Sequence, residues 1–120
     1  MAKNLFLIFI GGGFGSVLRY GTGYLLNKTF PYGTFTANVL GCLIIGLILG
    51  LFEREILQQT HILILAVGFC GGFTTFSSFA AENLKMLQNG NYLLFCCYLF
   101  MSIITGLSCV WLGFKLAKMA

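Results

Sequence analysis

The chain is poor in almost everything that keeps a protein in water. Only 8% of its 120 residues are charged, three acids against seven Lys or Arg, with one His and one Pro, where a soluble domain carries about 25% charge. That is too little to coat a globule, so a water-soluble monomer is excluded. The paired carboxylates and His clusters of most hydrolytic sites are missing too, and no enzymatic reaction is expected. The cysteines, Cys42, Cys70, Cys96, Cys97 and Cys109, are odd in number, form no C-x-x-C pair and lie in apolar stretches. Thiols there behave as small hydrophobes, which sets disulfides and metal clusters aside. The cations Lys3, Arg19, Lys28, Arg54, Lys85, Lys115 and Lys118 are scattered, so the net charge of +4 makes no nucleic-acid patch.

What is abundant is apolar: 58% of residues are hydrophobic and the mean hydropathy is +0.93. One helix needs roughly 20 residues to cross about 30 Å of hydrocarbon, so 120 residues allow four crossings and one membrane domain over the whole chain, residues 1–120. Stretches 29–52, 56–81 and 86–114 contain no Asp, Glu, Lys or Arg, and residues 4–26 are interrupted only by Arg19. The expected helices are about 4–26, 33–53, 60–83 and 91–115, joined by short segments with charge or turn residues. The N-terminus imitates a signal peptide but runs into glycines without a cleavage site, and reads as an uncleaved first span.

Four spans put both termini on one side. Lys3, Arg54, Lys115 and Lys118 then face one compartment, and Lys28, Lys85 and Arg19 the other. Orientation follows Lys/Arg asymmetry in short loops. So small a bias permits both insertions of the same chain, and hence an antiparallel homodimer. Four helices also enclose little space alone. Gly11-x-x-x-Gly15 and Gly46-x-x-x-Gly50 have the spacing that lets membrane helices approach closely.

The segment from Gly68 to Phe79, GFCGGFTTFSSF, is the most unusual. Each Gly weakens a helix by about 1 kcal/mol, and Ser and Thr offer the backbone competing bonds. A helix broken in mid-membrane near Gly71–Thr75 is expected, its freed carbonyls being hard ligands for a cation; a glycine kink with Thr and Ser bonded back is the alternative. Phe76 and Phe79 share a helix face, and their ring edges carry positive partial charge that can face an anion; lipid-facing or core packing is the plainer reading. Asn38, near the middle of the second span, needs a partner, either an anion or a neighbouring helix. Tyr98, Ser102, Thr105 and Ser108 can extend a line of hydroxyls or simply bond between helices. Glu82 reads as a carboxylate at the end of the third helix, and His61 receives no role.

These residues resemble the small bacterial fluoride channels called Fluc or CrcB proteins, over nearly the whole chain. Gly11-Gly12-x-x-Gly15-x-x-x-Arg19-Tyr20, Gly33-Thr34-x-x-x-Asn38-x-x-Gly41 and Gly71-Gly72-Phe73-Thr74-Thr75-Phe76-Ser77-Ser78-Phe79 look like that family's three signatures, in order. The resemblance implies a multi-pass protein of the bacterial plasma (inner) membrane, a dual-topology homodimer of four-helix subunits with two antiparallel fluoride pores. It also implies a structural Na⁺ at the dimer centre, held by backbone carbonyls of Gly71 and Thr74. Phe76 and Phe79 would contact fluoride, and Asn38 would be its amide donor. Ser77, Ser78, Tyr98 and Ser102 would line the path. Arg19 would draw anions into a vestibule and Glu82 would lie near the pore end. Ser78 and Cys42 stand where Thr and Ser are common in the family, and Gly106 where a Ser often occurs. Passive fluoride export is the function implied. Its rivals are a small multidrug-type proton-coupled exporter of cationic compounds, which needs a carboxylate deep in a span, and a structural subunit of a larger membrane assembly.

Overall fold

In hydrocarbon a backbone must satisfy its own polar groups, and for an apolar chain of this length helices are the direct solution. The computed structural model, which describes residues 1–120, consists of helices with no strand. They are α1 (Ala2–Leu26), α2 (Tyr32–Glu53), α3 (Gln59–His61), a π-helical stretch (Ile62–Cys70), α4 (Gly71–Phe73), α5 (Phe76–Gln88) and α6 (Tyr92–Met119). Four runs are long and apolar enough to cross a membrane: Ala2–Leu26, Tyr32–Glu53, Gln59–Gln88 and Tyr92–Met119.

The first two runs fall close to their expected bounds. The third continues to Gln88, past the end expected near residue 83, because Asn83 and Met86 join Phe79 on one buried face of α5. Glu82 therefore sits within a helix instead of at its end. The fourth reaches Met119, beyond the expected 115: Lys115 lies over the Trp111 ring of the same helix and Lys118 pairs with Glu53 of α2.

Glycine seams set the packing. Gly11 and Gly15 are buried in α1, where an added Cβ would collide with the main chain of Ile64 and Phe69 or of Phe69 and Phe73. Gly46 and Gly50 seat α2 on Val110, Phe114 and Ala117 of α6 in the same way. One small core joins Ile48, Ala66 and Cys70; another joins Phe79, Met86 and Tyr98. Only 19 of 120 residues are buried, so most apolar side chains of the chain face outward.

The third span changes its winding along its length. In the π-helical stretch the turn is widened, and the Gly71 N–H bonds back five residues to the Ala66 carbonyl. Gly71 itself is helical, at φ −61° and ψ −37°. Thr74 (φ −82°, ψ 156°) and Thr75 (φ −149°, ψ 121°) are extended, and α5 begins immediately after them. Within the expected range Gly71–Thr75 the non-helical residues are thus the two threonines, while the glycines stay helical. Gly72 is needed for contact: a Cβ there would fall inside the shell of the Gly12 carbonyl oxygen.

Candidate functional site

An extended residue inside an apolar helix loses partners that the helix would have given it. Asn38 on α2 replaces those of Thr75. The Thr75 N–H donates to Asn38 Oδ1 at 2.7 Å, and Asn38 Nδ2 donates to the Thr75 carbonyl at 3.1 Å. The amide expected to need a partner therefore finds one in main chain. The Thr75 hydroxyl accepts from the Ser78 N–H at 3.1 Å and caps α5. Thr74 gives both its N–H and its hydroxyl to the Cys70 carbonyl, at 2.9 and 2.7 Å. From α1, Arg19 Nε donates to the Gly72 carbonyl at 2.9 Å. The carbonyls of Cys70, Gly72 and Thr75 thus have side-chain donors, while those of Gly71 and Thr74 receive none.

Beside this link runs an open groove of about 490 Å³, whose lining includes Asn38, Gly71, Thr74, Phe76, Phe79 and Ser102. The rings of Phe76 and Phe79 are 6.0 Å apart at 49°. Phe76 is 80% exposed and Phe79 only 8%. Phe79 meets Tyr98 edge-on at 5.0 Å, and Tyr98 meets Phe30 at 5.1 Å. The hydroxyl oxygen of Ser102 is buried without a hydrogen-bond partner.

A second, more polar cavity of about 250 Å³ opens between α1, α2 and α5, with Arg19, Asn27, Thr34, Ser78 and Glu82 on its wall. Thr75 lines both cavities. Glu82 is half-buried and carries no counter-cation; Thr34 Oγ1 donates to its Oε1 at 2.6 Å and the Tyr98 hydroxyl to its Oε2 at 2.7 Å. Charge-assisted bonds of this kind are about twice as strong as neutral ones. Asn27 orders the near end: its Oδ1 accepts from the N–H groups of Gly33 and Thr34, and its Nδ2 donates to Thr34 Oγ1.

The predicted residues therefore separate into two groups. Asn38, Phe76, Phe79, Ser102, Gly71 and Thr74 gather on the groove. Arg19, Ser78 and Glu82 gather on the polar cavity, and Tyr98 joins them through Glu82. Ser77 is exposed and outside both linings, with its hydroxyl 3.3 Å from that of Thr75. Thr105 donates back to the Met101 carbonyl of its own helix. Asn27 and Thr34 received no role from the sequence. The one signal for them is an Asn at the start of a short connection, where its side-chain oxygen can cap the helix that follows.

The chain matches the family described as CrcB-like protein, Camphor Resistance (CrcB), over residues 6–114. A protein of Flavobacterium psychrophilum named fluoride-specific ion channel FluC is 44% identical over 121 residues, covering 97% of this chain and 98% of its own. A protein of the same name from Gloeothece citriformis is 46% identical over 119 residues, covering 96% of this chain and 97% of its own. One from Bacteroides fragilis is 46% identical over 118 residues, covering 92% and 93%.

Proposed function

This multi-pass membrane chain belongs to the CrcB-like protein family, and on that premise we propose that it is a passive, fluoride-selective channel of the bacterial inner membrane that exports fluoride and transforms nothing chemically. The observation that carries the reading is Thr75, shared by a cavity holding Arg19 and Glu82 and by a groove with no charged side chain in its lining. Moving a small anion into a medium of dielectric about 4 costs tens of kcal/mol unless polar groups replace its water. Binding must also stay weak enough for release. Partial dipoles without a fixed cation meet both demands.

In this reading Arg19 draws the anion into the polar cavity, and the hydroxyls of Ser77, Ser78 and Tyr98 take over part of its hydration. The edges of Phe76 and Phe79 follow, with Ser102 offering a hydroxyl that has no other partner. Asn38 contributes its second Nδ2 hydrogen, since one is given to the Thr75 carbonyl. Glu82, held by Thr34 and Tyr98, stands near the pore end. The exposed Phe76 and the open groove favour an antiparallel second copy that completes the wall, giving two pores. The third span, interrupted at Thr74–Thr75, is the broken helix of that arrangement. Gly71 and Thr74 line the groove and no side chain donates to their carbonyls; those oxygens would suit a hard cation such as Na⁺ at the centre, two from each copy. Bound there, sodium would tie the third spans of the two copies together through their carbonyls, a structural role apart from the ion path.

The test is efflux from liposomes carrying the purified protein, read by a fluoride electrode with potassium and an ionophore to balance charge. Rapid fluoride release with chloride retained is expected. No fluoride release overturns the reading, and proton-driven uptake of a lipophilic cation would put the exporter in its place.

A further inference from the structure

Arg19 reaches two places at once. Its side chain lines the polar cavity with Thr75 and Glu82, yet its Nε–H is committed to the Gly72 carbonyl at 2.9 Å, on another span. The local sequence explains the reach. Gly12, Gly15 and Arg19 recur at i, i+3 and i+7 and so share one face of α1. The two glycines bring α1 into main-chain contact with Phe69, Gly72 and Phe73, which sets Arg19 one turn beyond Gly15 and level with the end of α4. The Gly72 carbonyl belongs to the last turn before the chain becomes extended, where a helix presents unpaired acceptors and partial negative charge. A guanidinium suits that end.

We propose that Arg19 is a positioning residue for the Thr74–Thr75 link: its Nε–H fixes Gly72 from the α1 side while the Asn38 amide fixes Thr75 from the α2 side. The link is pinned at both ends, and the threonine shared by the two cavities keeps its extended form. The role belongs to one nitrogen atom and is separable from the charge of the guanidinium. It rests on the channel reading only where flux is the measurement.

Two substitutions separate atom from charge. In Arg19→Gln the amide nitrogen stands as many bonds from Cα as Nε does, so an N–H donor is kept and the charge is lost. In Arg19→Lys a carbon takes that place and the charge is kept one bond further out. The readouts are deuterium exchange of the peptide covering residues 69–79 in the full-length protein, which does not depend on which ion is carried, and fluoride efflux from liposomes. Arg19→Gln should keep the protection of wild type, and Arg19→Lys should exchange about tenfold faster there, the scale of one hydrogen bond. Efflux should fall in both variants, because each alters the group that draws the anion into the polar cavity, and should fall further in Arg19→Lys, where the link is also loosened; protection is the deciding readout. The reverse order, Lys protected and Gln not, overturns the proposal and leaves Arg19 as an electrostatic lure alone. Equal protection in both variants, retained or lost, also overturns it. If both lose flux while only Gln keeps protection, the positioning role stands and the charge has a separate task. Wild type that carries no fluoride would sink the channel reading and leave the exchange arm to decide.

Discussion

The phenol of Tyr98 on α6 donates to Glu82 Oε2 on α5 at 2.7 Å. With Thr34 on the other oxygen, a carboxylate within the third span is held by two hydroxyl donors and no cation. An ionised group away from water is tolerated only when it is paired or well hydrogen-bonded, so each donor should matter more with the other removed.

Tyr98→Phe and Thr34→Val should each lower stability by about 1–3 kcal/mol. The double variant should depart from additivity by about 1 kcal/mol, as expected for two groups on one carboxylate. Thermal unfolding of the purified protein in detergent measures this cycle. Strict additivity would show that the two hydroxyls do not act through Glu82.

Asn38→Ala removes both partners of the Thr75 peptide unit, and each orphaned group costs about 1–3 kcal/mol. A marked loss of thermal stability is expected, with fluoride efflux reduced by about tenfold or more. Asn38→Asp keeps an acceptor for the Thr75 N–H but no donor for its carbonyl, and should fall between. An alanine variant that melts with wild type would disprove the clamp.

Phe76 and Phe79 should respond in different currencies. Phe76 is 80% exposed in the protomer, so Phe76→Ile should leave protomer stability within about 0.5 kcal/mol while efflux falls. Phe79 is packed against Tyr98 and Met86, and Phe79→Ala should lower stability by about 3 kcal/mol. Paired melting and efflux measurements separate the two effects. Undiminished efflux in Phe76→Ile would remove that ring from the ion path.

Glycine substitutions give a sharp internal control. An added methyl at Gly72 meets the main chain of Gly12, whereas at Gly13 nothing lies within 4 Å. Gly72→Ala should prevent recovery of folded, monodisperse protein, and Gly13→Ala should be silent in both yield and flux. Size-exclusion chromatography reads the difference, and a well-folded Gly72→Ala would show that α1 and α4 can separate cheaply.

If two copies hold sodium between their Gly71 and Thr74 carbonyls as proposed, replacing sodium throughout by N-methyl-D-glucamine, a cation too large for such a site, should slow efflux and loosen the proposed dimer, and returning sodium should restore both. Efflux and crosslinking indifferent to sodium would overturn that assignment.

The four spans were legible because charge is so scarce that Lys28 and Arg54 mark the first two connections almost by themselves, whereas Lys85 lies inside the third span. Where a polar residue is buried on a helix face the rule fails: Asn83 is expected to end the third helix, yet it lies inside α5, packs beside Phe79 and Met86 and donates to the Phe79 carbonyl. The site was half legible. That Asn38 must have a partner follows from burial alone, but that the partner is the Thr75 main chain depends on how α2 lies against the third span. Of the two reasons for expecting a break near Gly71–Thr75, the hydroxyl residues carry the extended backbone, while the glycines serve approach to α1. The π-helical winding of Ile62–Cys70 left no mark, because a uniformly apolar run has no periodicity to shift. Asn27 and Thr34 escaped notice because their roles arise from a connection folding back on itself.

Where α1 meets the third span, Gly11, Gly15, Gly68 and Gly72 set peptide directly against peptide. A joint of that kind has no rotamers to adjust, so it yields only when whole rods slide. The passage beside it should therefore hold one calibre as temperature or bilayer thickness changes.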